Sequence, residues 1–518
     1  TQGVSSAASD VYKRQMEVRS PVMAAQPQRP ASLEIEANGI NVIPESERHG
    51  TPRSLFWPWA TASIALFNMS IAGLLFVFGL GFIPAALAAL IGICASFFLV
   101  GIVALAGKRA SAPTMVISRA AFGVHGNALP TLVSYLTLVG WEIVTVSTTV
   151  LAAVTVFARL GVPLTRAGEV IVFVIAIAVI ICAGVFGFRL VSRFQGVVTI
   201  ASIGLTIAFI ALTIGDVNWP ALLHMGDVSG SGLAGAAIVS MAAFGLGWVN
   251  SGADYSRYLP RTSSSGAIVA WTTFAGSLVP VVLVTYGLML VASNSALAGQ
   301  LADNPVGALV TLLPTSYLIL LPLLLILSLS TTGSGAMDLY SSGLALLTLG
   351  LRVPRAVAAG IDGILMALGS VFLMWFATSF FGPFESFLIF LGVPLAAWAG
   401  VFIADTLMRS GDYASPDFFD ARGRYGSIGW PALISMIVAT LIGWGLVTAT
   451  VDSPILDWQG FVFDLFAVPT DSFWRSSNIG ILVAIAIGFL GCRLFNGRRV
   501  RRQQALASTA PVSSASSS

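Results

Sequence analysis

The residues that could do chemistry in this chain lie inside apolar segments, and that setting limits what they can do. Phe244 to Pro260 reads FGLGWVNSGADYSRYLP. Gly245, Gly247 and Gly252 interrupt an apolar run that begins near Leu233, and Trp248, Asn250 and Ser251 place polar groups at membrane depth. A spanning helix cannot leave backbone groups unpaired against lipid, so such breaks survive only where protein or a water-filled cavity satisfies them. Paired interrupted helices near the midplane point to a transporter's binding site. The plainer reading is a glycine-rich packing helix with an interfacial cap. The first apolar run offers a counterpart, FNMSIAG from Phe67 to Gly73, with Asn68 and Ser70 near its middle. Small and amide side chains there serve as helix–helix glue. As an unwound centre, the same stretch turns carbonyls toward a cation and sets Asn68 or Ser70 against a substrate.

Other polar residues at membrane depth extend the set. Trp141 and Thr145 are four apart and share a helix face. A tryptophan in a polar pocket offers a flat surface for stacking a planar ring and one N–H donor. With Phe244, Gly245 and Trp248 on the sixth run, the substrate-binding candidates are Asn68, Ser70, Trp141, Thr145, Phe244, Gly245, Trp248 and Asp338. Glu142 follows Trp141 and points about 100° away; pairing with a neighbouring helix is its plainer reading. Asp254 and Arg257 are three apart, a spacing that suits a gating or structural pair near the inner end, with Arg119 a second partner and a helix cap the alternative for Asp254. Ser328, Thr331 and Thr332 follow i, i+3, i+4, and hydroxyls with carbonyls suit a hard cation such as Na⁺. Back-bonding to their own helix is the competing role. Asp362 and Glu385 receive no role.

Composition sets the class. The chain has 518 residues, is 56% hydrophobic and only 9% charged, and its mean hydropathy is +0.89. Soluble domains carry about 25% charged residues, so this is an all-α polytopic membrane protein. The net charge of +3 follows membrane topology and is no nucleic-acid signal. Cys94, Cys182 and Cys492 lie far apart and read as small apolar side chains, not disulfides or metal ligands. His49, His125 and His224 have no metal-ligand spacing. There is no HExxH, Cys/His cluster, GxSxG or Walker motif, which argues against an enzyme, a resident cofactor and a primary pump. The short tails argue against a sensor with a soluble output domain.

From Phe56 about twelve apolar spans are expected: 56–80, 83–106, 128–157, 168–187, 195–215, 232–252, 267–292, 308–347, 355–378, 383–404, 428–449 and 477–495. The eighth is too long for one span, and Asn304-Pro305 and Leu313-Pro314 mark its early part as an external loop or short helix. With the N-terminus inside, only Arg159, Arg166 and Arg475 of the 26 basic residues fall outside. The remaining 23 are inside, which supports an even span count with both termini cytoplasmic in a plasma (inner) membrane. Residues 1–53 read as a disordered cytoplasmic tail, 54–404 as a transport core, 405–427 as a cytoplasmic loop, 428–495 as two further helices and 496–518 as a disordered tail. The first residue is not Met, SSAASDVYKRQ is unlike a native start, and Met16 or Met23 suits a true beginning. No signal-peptide pattern precedes Phe56.

GWVNSGADYSRYLP resembles the sixth-helix signature of the nucleobase–cation symporter family, on its purine–cytosine permease branch. SRAAFGVHG (Ser118 to Gly126) and VGW (Val139 to Trp141) resemble two further family segments in the expected order, and the resemblance runs from about Trp59 onward. It implies a leucine-transporter-like inverted repeat, spans one to five against six to ten, with two added helices. It implies that Trp141 stacks a base, that Trp248 is the sixth-helix tryptophan, and that the Ser328, Thr331 and Thr332 face holds Na⁺ in sodium-coupled members. Relatives often carry asparagine near Asp338. Aspartate there is a departure that leaves the substrate open and raises proton coupling. The implied function is import of a nucleobase, cytosine or a purine, with H⁺ or Na⁺. Hydantoin-like rings, allantoin, pyridoxine and thiamine stay open. The alternative is an amino-acid or other organic-solute symporter of the same fold.

Overall fold

Leu-, Ile-, Val- and Ala-rich runs bounded by Pro, Gly and Asn become helices here, because away from water a helix pairs its backbone groups within its own segment. The computed structural model describes residues 39–186, 188–223, 228–351, 353, 355–448 and 456–508. Its first apolar run splits into α1 (Phe56–Ser63) and α2 (Phe67–Phe76), bent by 65°. There follow α3 (Phe82–Ala110), α4 (Thr114–Phe122), α5 (Ala128–Arg159), α6 (Arg166–Phe186) and α7 (Phe188–Thr213). The sixth run is α8 (Gly230–Met241), a π turn over Ala242–Leu246 and the short α9 (Gly252–Ser256). Beyond it come α10 (Ser265–Ser293), α11 (Ala296–Asp303), α12 (Pro305–Thr311), α13 (Tyr317–Thr348), α14 (Arg355–Trp375) and α15 (Phe381–Met408). The chain continues through α16 (Trp430–Trp444), α17 (Gly480–Phe495) and α18 (Gly497–Ser508).

Among the described residues, 8 helices are long and apolar enough to cross a membrane, or up to 10 if each bent pair is one span. The runs expected at 168–187 and 428–449 are α6 and α16. At 15 residues, α16 rises about 22 Å, less than the ~30 Å hydrocarbon core. The long eighth run divides. Asn304 Oδ1 accepts the Gly307 N–H at 2.9 Å, Pro305 occupies the first turn, and the short α12 results. α13 is the span itself. α5, α13 and α14 pack on one another, and α3 backs the interrupted sixth run.

Two regions expected to be disordered are ordered. In residues 39–53, Arg48 is buried. Its Nε donates to the Leu259 carbonyl at 2.9 Å, and its Nη atoms donate to Ser111 Oγ and the Lys108 carbonyl, both at 2.5 Å. One guanidinium thus answers carbonyls that helix ends leave open. At the other end α18 is helical despite its polarity. Gln503 Oε1 receives Arg409 Nη2 at 2.7 Å, and Arg499 donates to the carbonyls of Ala121 and Tyr425. Residues 1–38 and 509–518 of the expected tails, and His224, lie outside the described residues.

Candidate functional site

The break in the first helix is set at Ile64, whose backbone (φ −92°, ψ 78°) leaves the helical region. Its freed groups are accounted for one by one. The Ile64 N–H reaches the Thr61 carbonyl at 3.4 Å. The Ser63 carbonyl accepts Asn68 Nδ2 at 2.6 Å and the Ala65 N–H at 3.2 Å. The Ile64 carbonyl accepts the hydroxyl of Ser330, which reaches over from α13. A non-helical stretch persists at this depth because protein donors replace the lost helix bonds.

The sixth run breaks at Phe244 (φ −116°, ψ −107°) inside the π turn. The Gly245 N–H donates to Ser96 Oγ at 3.1 Å, and Asn250 Nδ2 donates to Ser134 Oγ at 2.8 Å. Two glycines are required by close approach. A Cβ on Gly245 would lie 2.5 Å from the backbone N of Phe97, and one on Gly247 would lie 2.6 Å from Trp141 Nε1. Gly245 lets α3 press against the break; Gly247 makes room for the Trp141 indole.

Between the two breaks lies a cavity of about 60 Å³, room for a few waters by that measure. Aromatic rings of Phe67, Phe97, Trp141, Phe244 and Trp248 wall it, and Ser63, Asn68, Thr145, Thr148, Ser334 and Asp338 supply polar edges. Trp141 is braced edge-on by Phe384 and Phe387 at 5.6 and 6.0 Å, and Trp248 by Trp59 at 6.0 Å. Asp338 is 3% exposed, and its Oδ1 has no hydrogen-bond partner. Unpaired polar atoms at that burial are rare, so an orphan aimed at a cavity marks a place for a ligand or water.

Of the eight substrate-binding candidates, the cavity gathers Asn68, Trp141, Thr145, Phe244, Trp248 and Asp338. Ser70 is not on its wall: its hydroxyl donates to the Phe67 carbonyl at 2.6 Å. Gly245 packs on α3 instead. Five polar or aromatic wall residues, Ser63, Phe67, Phe97, Thr148 and Ser334, were missed from sequence. Thr148 lies seven beyond Trp141 and Ser334 four before Asp338, so helical spacing carried both signals. In the mostly apolar run around Phe97, with Phe98 beside it, nothing set it apart.

The expected Asp254–Arg257 pair is absent, because each has other partners. Asp254 Oδ1 accepts the N–H and hydroxyl of Thr114, both at 2.8 Å, and Oδ2 accepts the Ser341 hydroxyl at 2.8 Å. Arg257 donates to the Gly39 carbonyl at 2.9 Å and to Tyr340 Oη at 2.6 Å. Arg119 does not reach Asp254 either; it donates to the carbonyls of Phe418 and Thr348 at 3.0 and 2.7 Å. Of the expected cation face, the Ser328 hydroxyl donates to its own helix at Leu324, 2.8 Å away. The side chains of Thr331 and Thr332 lie outside the described residues. Ser330, missed from sequence, is an α13 hydroxyl that meets the first-helix break. Glu142 and Asp362 are buried away from the cavity, between α5, α13 and α14.

Comparison with known proteins completes the picture. A family model described as permease for cytosine/purines, uracil, thiamine and allantoin matches residues 42–468. "Putative purine-cytosine permease YxlA" of Bacillus subtilis (strain 168) is 25% identical over 428 residues, covering 79% of this chain and 88% of that protein. In fold, the chain is similar to Mhp1, a nucleobase-cation-symport-1 family transporter solved closed with bromovinylhydantoin bound. The TM-score is 0.66 at 16% identity, covering 92% of this chain and 97% of that one. It is also similar to a Na⁺-coupled sialic acid symporter solved substrate-bound and outward-open (TM-score 0.54, 14% identity, 87% and 91% covered). With a family model spanning most of its length, and with described residues that are helical and broken in the first and sixth runs, the chain belongs to the family of permeases for cytosine/purines, uracil, thiamine and allantoin, and is a multi-pass membrane permease.

Proposed function

We propose that this permease is a cation symporter that imports a planar nucleobase, cytosine or a purine, or a ring of similar shape, by alternating access between two inverted repeats of five spans. The ring lies in the cavity between the breaks, with Trp141, Phe244 and Trp248 against its faces. Asn68, Thr145 and Asp338 meet its edges, where a base carries its hydrogen-bonding groups. The observation that carries this reading is the pairing of aromatic walls with an unpartnered, buried Asp338 Oδ1 on one cavity. An amino-acid substrate is disfavoured by the same wall. Among the described residues no Lys, Arg or His lines it, so it offers a substrate carboxylate no cationic partner. The relatives' printed names, purine-cytosine permease and nucleobase-cation transporter, support the substrate class.

If Na⁺ is the driver, its place is the first-helix break, where the Ile64 carbonyl meets α13 at Ser330, the residue before Thr331 and Thr332 in sequence. The basic bias puts both termini in the cytoplasm, with the chain in the plasma (inner) membrane. Reporters fused to the C-terminus should read inside; an outside reading would overturn the topology. Uptake of radiolabelled cytosine, adenine, hypoxanthine, uracil, allantoin and thiamine in a transport-deficient host, with and without Na⁺ and across pH, tests the substrate class. Saturable uptake of at least one ring compound is expected. Uptake of amino acids with none of these rings would overturn the reading.

A further inference from the structure

Away from the cavity, one serine hydroxyl stands among three oxygens. Ser342 on α13 is fully buried. Its Oγ lies 2.8 Å from Glu142 Oε1 on α5, 3.0 Å from Asp362 Oδ2 on α14 and 3.3 Å from its own helix's Leu339 carbonyl. A serine hydroxyl holds one hydrogen and accepts with its lone pairs. With both acids ionised, every neighbour is an acceptor, and one hydrogen cannot serve two carboxylates. One carboxyl must therefore carry a hydrogen and donate it to Ser342.

The surroundings say which. Asp362 is served on both oxygens: Tyr135 Oη donates to Oδ1 at 2.6 Å, and Ser342 can donate to Oδ2. Glu142 is 0% exposed, and its Oε2 has no partner. An ionised carboxylate with one bare, buried oxygen is the more costly of the two ions. A neutral Glu142, donating through Oε1 to Ser342, matches every contact.

We infer that Glu142, bridged by Ser342 to Asp362, is a proton-binding site of this transporter, and that the coupling proton rides there and not on Asp338. This rests on the symporter reading above for its role, though not for its geometry. The acids have no cationic partner. Among the described residues no Lys, Arg or His forms an ion pair or hydrogen bond with Glu142, Asp338 or Asp362. The titratable groups facing the site are Tyr135 from α5, Asp338 and Tyr340 from α13 and Asp362 from α14. Asp254, Tyr255 and Arg257 approach from the sixth run, where Tyr255 lies near Ser341 and Arg257 is held by Tyr340. No group of three His, Cys, Asp or Glu among the described residues gathers closely enough to hold a metal ion. The bridge also gives the proton a path. As the Glu142 hydrogen passes to Ser342 Oγ, the serine's own hydrogen passes to Asp362 Oδ2; the O–H bond at Glu142 Oε1 breaks, one forms and one breaks at Ser342 Oγ, one forms at Asp362 Oδ2, and the negative charge moves from Asp362 to Glu142. Two of the three helices that carry the bridge, α5 and α13, also wall the cavity, through Trp141 beside Glu142 and through Asp338 one turn before Ser342. A shift of α5 against α13 on ring binding would change the bridge.

Infrared spectroscopy of the full chain in lipid vesicles at neutral pH tests the site without any substrate. A protonated-carboxyl C=O band is expected in the wild type. It should vanish in Glu142→Gln and survive in Asp338→Asn. Ser342→Ala should move the band, because its hydrogen-bond partner is gone, and this variant decides the matter if Glu142→Gln does not fold. A band that survives in Glu142→Gln, that vanishes in Asp338→Asn, or that ignores Ser342→Ala overturns the assignment. Failure of the transport reading would show elsewhere, as no uptake of any ring compound. Where cytosine is carried, one pH unit imposed across Na⁺-free vesicles should drive about tenfold accumulation for one proton per substrate. That gain should be lost in Glu142→Gln. Accumulation equal to wild type in this variant overturns the proposal.

Discussion

The two breaks in the membrane helices are both closed by side chains, but by groups of opposite kind. At the first break the exposed backbone atoms are acceptors: the carbonyls of Ser63 and Ile64, answered by the Asn68 amide and the Ser330 hydroxyl. At the sixth they are donors: the N–H groups of Gly245 and Ala253, answered by Ser96 and Thr114 hydroxyls, with Asn250 Nδ2 reaching Ser134. A cation can compete for the first set of atoms and has nothing to gain from the second. The sixth break instead fixes aromatic position, since Phe244 and Trp248 flank it and Gly247 seats Trp141. The division suggests separate duties, ion-facing carbonyls on one side and a ring-holding wall on the other.

The largest effects should come from the wall. Trp141→Ala and Trp248→Ala each remove a flat face, and losing such a stacking partner costs roughly 1–3 kcal/mol, about 5- to 150-fold in affinity. Replacement by Phe should be milder. Calorimetric binding by the purified variants checks this, and wild-type affinity in both alanine variants would remove the pocket from this place. Gly247→Ala comes next. It deletes no contact, yet its Cβ would meet Trp141 Nε1 at 2.6 Å and push the indole from its seat. Overpacking of this kind costs about 1–3 kcal/mol, part of it recoverable by relaxation. Gly343→Ala is the matched control, because nothing lies within 4 Å of its added Cβ. Equal binding in the two glycine variants would dissociate Gly247 from ring placement.

The first break should respond more weakly and in a different observable. Ser330→Ala removes the side-chain donor to the Ile64 carbonyl and Asn68→Ala leaves the Ser63 carbonyl with the Ala65 N–H alone, at about 1 kcal/mol apiece. If uptake depends on Na⁺, a cation can take over those carbonyls, so high Na⁺ should restore thermal stability in Ser330→Ala. Thr331→Ala with Thr332→Ala should raise the Na⁺ concentration needed for half-maximal uptake. A double variant with unchanged Na⁺ dependence would take that face out of the ion site.

The unequal legibility of these regions has physical causes. Long apolar runs, Gly-rich interruptions and the basic bias are local properties, so the helices, their breaks and the class could be read directly. The cavity was half legible. Trp141, Thr145 and Thr148 repeat at helical spacing, whereas Phe97 sits in a mostly apolar run beside a second phenylalanine, Phe98. The run SLSTT was ambiguous for another reason: Ser328 and Ser330 point about 200° apart, so hydroxyls cover most of the helix surface there. Spacing does not encode that Ser330 meets the first break. Partners far apart in sequence were hidden altogether. Asp254 finds Thr114 and Ser341, and Glu142 finds Ser342, at separations no local pattern encodes.

Asp338→Asn should have the smallest effect on binding and the sharpest consequence for the comparison. The residue lines the cavity, and its Oδ1 has no hydrogen-bond partner among the described residues. Asparagine preserves the shape and offers both a donor and an acceptor. Trading one hydrogen bond for another at a base edge changes binding by about 1 kcal/mol or less, roughly fivefold at most. Its direction reports the substrate. A ring that presents N–H groups to this position loses affinity with asparagine, and one that presents a carbonyl gains it. The pH profile of uptake should keep its wild-type shape in this variant, because the proton rides on Glu142. A profile flattened by Asp338→Asn and untouched by Glu142→Gln would move the coupling proton into the cavity itself. The ion and the ring would then share one site, and the division of duties between the two breaks would fail.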